Sequence, residues 1–183
     1  MENRREFVRR AAAAACALGS PAASYGQPGR YSSPEAKTSV AIGGKSFSVD
    51  YYAPSMHGRK IMGALVPFGQ VWCTGANIAT AFQVGADIEI GKLRLPAGAY
   101  SIWTVPSEDK WTLIINRETG QFHLNYRESM DFGRTGMTLR RLDTPVETFR
   151  VELRAAGERD GVLALLWETT EAQVGFRLAG PGE

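Results

Sequence analysis

The sequence has few of the residues that most often carry chemistry. Two cysteines and two histidines occur in 183 residues. Cys16 lies in a stretch that reads as a removable leader. Cys73 then stands alone, and no intramolecular disulfide can form in the mature chain. A zinc site wants several convergent His, Cys or carboxylate ligands. His57, His123 and a thiol flanked by Val71 and Trp72 do not supply one, so no metal or other cofactor is expected. No G-x-S-x-G elbow is present. The glycines follow neither dinucleotide nor P-loop spacing. No apolar run is long enough to span a bilayer. Charge excess is missing too. Residues 1–22 hold four arginines and two glutamates, leaving seventeen of the 21 basic and seventeen of the 19 acidic residues, a balance of zero. A neutral domain lacks the basic face that nucleic acid demands.

What is present begins with the leader. Arg4-Arg5-Glu6-Phe7-Val8 precedes an apolar stretch, Ala11 to Leu18, and a small-residue zone, Gly19 to Ser24. That order is an export signal, and the paired arginines resemble the twin-arginine type, which is read by machinery that exports folded proteins. Residues 1–23 are therefore expected to be a helical signal peptide, cut after Ala22 or Ala23. The mature protein is expected in the periplasm or secreted. Residues 24–37, rich in Ser, Gly, Pro and Ala, read as a flexible linker. The folded domain is expected over 38–179, and hydrophobic residues at 44% of the chain are enough to build its core.

The domain reads with period two. Val40 and Ile42, then Phe47, Val49 and Tyr51, alternate with small or polar residues around Gly43-Gly44, a hairpin turn. Asp87–Ile90 and Leu93–Leu95 flank Gly91-Lys92 as a second hairpin. Ala99–Val105 and Trp111–Asn116 carry large residues on both faces and are expected to be central, covered strands. Phe149, Val151 and Leu153 alternate with charge. Gly157–Gly161 turns the chain into Val162–Trp167, and Val174, Phe176 and Leu178 end the domain. Residues 117–145 look irregular. The expected architecture is all-β: one antiparallel, jelly-roll-like β-sandwich of about nine or ten strands.

Gly58 to Thr80, GRKIMGALVPFGQVWCTGANIAT, stands apart. It is too glycine-rich for a helix and too apolar for a solvated loop, as expected of backbone that turns sharply in packed surroundings. With Tyr51-Tyr52-Ala53-Pro54-Ser55 before it and Leu95–Ser101, Trp111–Asn116 and Trp167 after it, the segment resembles an exported bacterial family known as domain of unknown function 2911. The resemblance covers roughly residues 35–178. That family usually has Arg at the position of Cys73 and Glu at that of Ile78. Both charges are absent here, which leaves two readings: joint loss of a structural ion pair, which costs little, or loss of a site that other members of the family keep. The family also tends to have Trp-Gly near Phe122-His123.

Candidate ligand-binding residues are Arg59, a planar donor, Asn77 and Thr80 in the signature, and Tyr100, Trp103, Asn116, His123, Tyr126 and Asp131. Aromatic faces with a few fixed polar groups make typical ligand sites. The competing expectation is that Arg59 and Asn77 serve the backbone of their own turns. The leading functional expectation is a non-catalytic binding module for a small ligand, glycan or partner protein of the cell envelope. The alternatives are a hydrolase-like enzyme with a cleft near Trp72–Thr80, and a structural or assembly domain. The enzyme alternative requires three of Asn77, His123, Tyr126 and Asp131 to converge on one pocket.

Overall fold

The structure, a computed structural model, describes residues 32–180. The leader expected over 1–23 and most of the linker lie outside the described residues. Nine strands form one antiparallel sheet: β1 (Glu35–Ile42), β2 (Lys45–Tyr52), β3 (Ala81–Val84), β4 (Ile88–Ile90), β5 (Leu93–Leu95), β6 (Gly98–Val105), β7 (Trp111–Asn116), β8 (Asp131–Ala155) and β9 (Asp160–Leu178). One 3-10 turn, Glu128–Met130, precedes β8. The sheet order is β1-β2-β3-β6-β7-β8-β9-β4-β5.

The hairpins follow from their turns. Gly43 and Gly44 take φ of +54° and +74°, the left-handed pair that a two-residue turn needs, and Ile42 pairs with Lys45 across it. At the second hairpin a Cβ on Gly91 would stand 2.0 Å from Thr135 Oγ1, so only glycine lets the turn lie against β8. The first strand begins at Glu35, three residues before the expected domain start. The cross-strand contacts Lys37–Asp50, at 2.8 Å, and Tyr52 Oη to Glu35 Oε1, also at 2.8 Å, give this polar stretch partners on β2.

The region expected to be irregular over 117–145 is corrected in its second half. β8 is one strand of 25 residues. Its first part, 131–137, pairs with β7, and its remainder pairs with β9. The alternation there was masked by glycine. A Cβ on Gly133 would lie 2.7 Å from Leu93 Cδ2, so glycine keeps room for the β5 side chain. Register shifts between Arg141 and Arg150 break the pairing with β9. Shifts of this kind bend a strand.

The expectation of an all-β antiparallel domain is met, in the form of a single nine-stranded sheet with its strands joined in one continuous order. Its two ends are brought together by side chains and by the stretch after β2. Phe47 of β2 meets Phe176 of β9 with ring centroids 5.3 Å apart, and Tyr51 meets Phe149 at 5.7 Å. Met56 N donates to Glu147 O and Phe149 N to Pro54 O, so residues 54–56 dock on the middle of β8. One apolar cluster unites these layers, from Ile42, Phe47 and Val49 to Leu163, Leu165 and Phe176.

β6 and β7 are covered on both faces, as their sequences required. Tyr100 and Ile102 point into the main core. Trp103 and Ile114 point the other way and meet Cys73 and Ala79 of the signature segment. The segment thus supplies the second layer over the centre of the sheet.

Gly85 gives a direct test of the close approach beside β3. A Cβ there would lie 2.0 Å from the Ser46 backbone oxygen, which cannot swing away. Gly85→Ala is expected to lower unfolding free energy in urea by about 3 kcal/mol through overpacking. Gly44→Ala, where no atom lies within 4 Å but φ is +74°, is expected to cost only about 1 kcal/mol.

Candidate functional site

The excursion from β2 to β3, residues 53–80, has no strand of its own. Such a long irregular connection in a small domain is often a functional one. Its backbone is satisfied turn by turn. Arg59 closes the first turn, with Nε donating to Met56 O at 2.9 Å and Nη2 to Ser55 O at 2.9 Å. Glu168 holds the second: Ile61 N and Met62 N donate to its two carboxylate oxygens at 2.7 and 2.9 Å. Trp72 then exchanges backbone hydrogen bonds with Thr104 of β6, N to O at 2.8 Å and the reverse at 2.9 Å.

The bend itself runs through left-handed backbone. Thr74 and Asn77 have φ of +55° and +59°, and Glu168 has +49°. Non-glycine residues rarely sit there, and such conformations persist where surrounding contacts over-determine them. The contacts are visible. Thr80 Oγ1 donates to Thr74 O at 2.6 Å, Trp72 Nε1 to Gly75 O at 3.1 Å, and His123 N to Asn77 O at 2.9 Å.

This scaffold borders a cleft of about 490 Å³. Val66, Trp72, Cys73 and Trp167 line it with apolar surface, and Leu65, Val71 and Leu124 add exposed aliphatic groups. Arg59, Asn77, His123, Gln70 and the Ser32–Ser33 stretch bring the polar atoms. Trp72 and Trp167 stack at 5.7 Å with 22° between their planes. A hollow of similar size lies at the β1–β2 surface, and a wider groove of about 790 Å³ runs beside Leu142–Val146. In the first of these the charges already pair with each other, Lys37 with Asp50. The cleft under the signature segment is the one that gathers sequence-predicted residues.

Three of the nine candidates line it: Arg59, Asn77 and His123. Burial lowers the His123 pKa from its usual value, keeping the ring neutral at neutral pH. Asn77 Nδ2 also reaches Ser33 O at 3.4 Å. Three others meet elsewhere. Asp131 accepts from Asn116 Nδ2 at 2.9 Å, Tyr126 Oη at 2.7 Å and Arg134 Nη2 at 2.9 Å. This network joins β7, β8 and the loop between them. Burial, with Asp131 beside it, pushes the Tyr126 phenol up to about 12, so it stays protonated and donates to the carboxylate. The remaining three are internal. Thr80 is fully buried, Trp103 Nε1 donates to Ser101 Oγ, and Tyr100 Oη donates to Pro96 O.

Asn77, His123, Tyr126 and Asp131 therefore divide into two pairs, one at the cleft and one in the β7–β8 network. Cys73 is buried, and burial pushes its thiol to about 12, far from the thiolate that acts as a nucleophile. Cys73 lines the cleft, whereas Ile78 lines the hollow at β1–β2.

Sequence reasoning missed Trp167, Glu168 and the aliphatic rim. Trp167 and Glu168 follow a run that reads as ordinary strand, and their meeting with residues 61–72 is a tertiary event. One signal was available: Leu65, Val71 and Leu124 sit among Gly, Pro and polar neighbours, where no strand would bury them.

A family model described as "Protein of unknown function (DUF2911)" matches residues 33–176. The chain belongs to that family. No curated protein and no solved structure matches it.

The Glu168 carboxylate is the group on which the cleft wall hangs. Glu168→Ala leaves two backbone amides without their acceptor and is expected to cost about 3 kcal/mol. In hydrogen exchange the Ile61 and Met62 amides of the variant should lose protection, while those of β7 keep theirs. Unchanged protection at 61 and 62 would refute the clamp.

Proposed function

We propose that this member of the DUF2911 family is an exported, non-catalytic domain that binds a small ligand in the cleft beneath its signature segment. One observation carries the reading. Among the described residues the exposed large hydrophobic side chains are Leu65, Phe68, Val71, Phe122 and Leu124. All fall on two short stretches flanking the cleft, and Leu65, Val71 and Leu124 line it. Clustered exposed apolar surface marks interaction sites, whereas scattered exposure means nothing. The volume suits a small molecule, and the polar groups are few and held in place. The division of the candidate acids and bases into two separate pairs, with an undissociated thiol, speaks for binding over catalysis.

A neutral apolar fluorophore tests the cleft. N-phenyl-1-naphthylamine added to the purified protein is expected to brighten saturably at one site and to quench tryptophan emission, since Trp72 and Trp167 line the cleft. Leu124 is 74% exposed, so Leu124→Asp should leave stability within about 0.5 kcal/mol while weakening the dye about tenfold. Dye binding that is absent, or indifferent to Leu124→Asp and Val71→Asp, would overturn the proposal.

Export rests on the leader alone. Cell fractionation is expected to place the chain outside the cytoplasm with a new N-terminus at residue 23 or 24. Replacing Arg4 and Arg5 by lysine should retain the uncut chain inside. An uncut wild-type chain confined to the cytoplasm would refute this part.

A further inference from the structure

We infer that the ligand of this cleft is an anionic amphiphile, its apolar chain lying among Leu65, Val71, Leu124 and Trp167 and its oxyanion head on Arg59. The inference rests on the cleft being a ligand site, and it adds the chemical class. Among the described residues, Arg59 is the only charged one in the cleft lining, and no carboxylate lines the cleft. A second hollow, of about 580 Å³, shares Ser32, Ser33, Pro54 and Arg59 with the cleft and adds Ser55 and His57. Among the described residues it too has no acidic one in its lining. Arg59 therefore stands at the seam between an aliphatic–aromatic compartment and one rich in hydroxyls.

The nearby carboxylates are occupied. Glu147 Oε1 accepts from His57 N at 2.8 Å, and Glu168 accepts from Ile61 N and Met62 N. Neither pairs with Arg59, whose partners are the carbonyls of Met56 and Ser55. Those two bonds use Nε–H and one Nη2–H of five donors. The remaining three belong to Nη1 and Nη2. A guanidinium fixed by backbone carbonyls is pre-oriented, so less freedom is lost when an anion arrives. Its fork suits carboxylate and phosphate alike. The apolar residues contribute by burying a hydrocarbon chain, and the neutral imidazole of His123 adds no competing charge. Exposed charge of one sign beside apolar walls selects a molecule with both properties.

The test displaces N-phenyl-1-naphthylamine from the full protein with four ligands of one chain length: decanoate, decyl phosphate, decanol and decyltrimethylammonium. At low salt at least one anion is expected to compete about tenfold better than decanol, the size of effect a charge-assisted hydrogen bond supplies. The cation should be the weakest. Which anion leads separates a carboxylate ligand from a phosphate one. Raising salt to 1 M should shrink the gap in the wild-type protein, a readout that needs no variant. Arg59→Gln should erase the gap, read within that variant as the ratio of anion to decanol competition, and Arg59→Lys should restore part of it, with thermal melting reporting that each variant folds. Equal competition by decanol and both anions, or a preference that survives in folded Arg59→Gln, would overturn the ligand class and leave the cleft reading standing. Failure of the dye and of all four amphiphiles would overturn both.

Discussion

The structure depends on one carboxylate. Glu168 occupies left-handed backbone in β9, opposite Val146, where the pairing with β8 has lost its register. A residue in that conformation breaks the alternation of a strand, and here it lies opposite the break in β8. The side chain then takes the amides of Ile61 and Met62. The bend that lets the sheet turn over thus also anchors the long excursion between β2 and β3. Charge-assisted bonds to backbone amides are among the stronger contacts available to a protein. Without this one, two buried-side residues of the excursion, Ile61 and Met62, would carry unpaired N–H groups.

Trp72 translates that anchor into a surface. It stacks on Trp167 and meets Phe149 edge-on at 5.1 Å and Trp111 at 6.3 Å. Its backbone is bonded to β6. One residue therefore touches β6, β7, β8 and β9 while exposing part of its ring to the cleft. Aromatic pairs of this geometry add to the energy of burial alone. The cleft wall is thus continuous with the core packing, while Leu65, Val71 and Leu124 stand exposed at its rim.

Much of the frame was legible in the sequence because local rules set it. Gly43-Gly44 and Gly91-Lys92 announced hairpins, the alternation of Phe149, Val151 and Leu153 announced a half-buried strand, and the two-sided bulk of Ala99–Val105 announced a covered one. The first half of β8 was hidden because Gly133 and Gly136 interrupt its pattern, Gly133 for the sake of the Leu93 side chain. The site was legible in part. Arg59, Asn77 and His123 came from the signature and its surroundings. Trp167 and Glu168 were invisible as site residues, since their role exists only once β9 folds back over a segment a hundred positions earlier. Tyr126, Asn116 and Asp131 were recognisable as polar residues with partners, but sequence does not say that Asp131 would accept from the other two.

The docking of residues 54–56 on residues 147–149 has a kinetic consequence. The main-chain bonds from Met56 N to Glu147 O and from Phe149 N to Pro54 O join points some ninety positions apart. Nothing nearby in the chain can form first and hold them in place. Topologies dominated by such distant pairing fold slowly, on scales of milliseconds to seconds. Until that seam closes, the middle of β8, where the pairing with β9 is interrupted, lacks the main-chain partners it has in the finished fold.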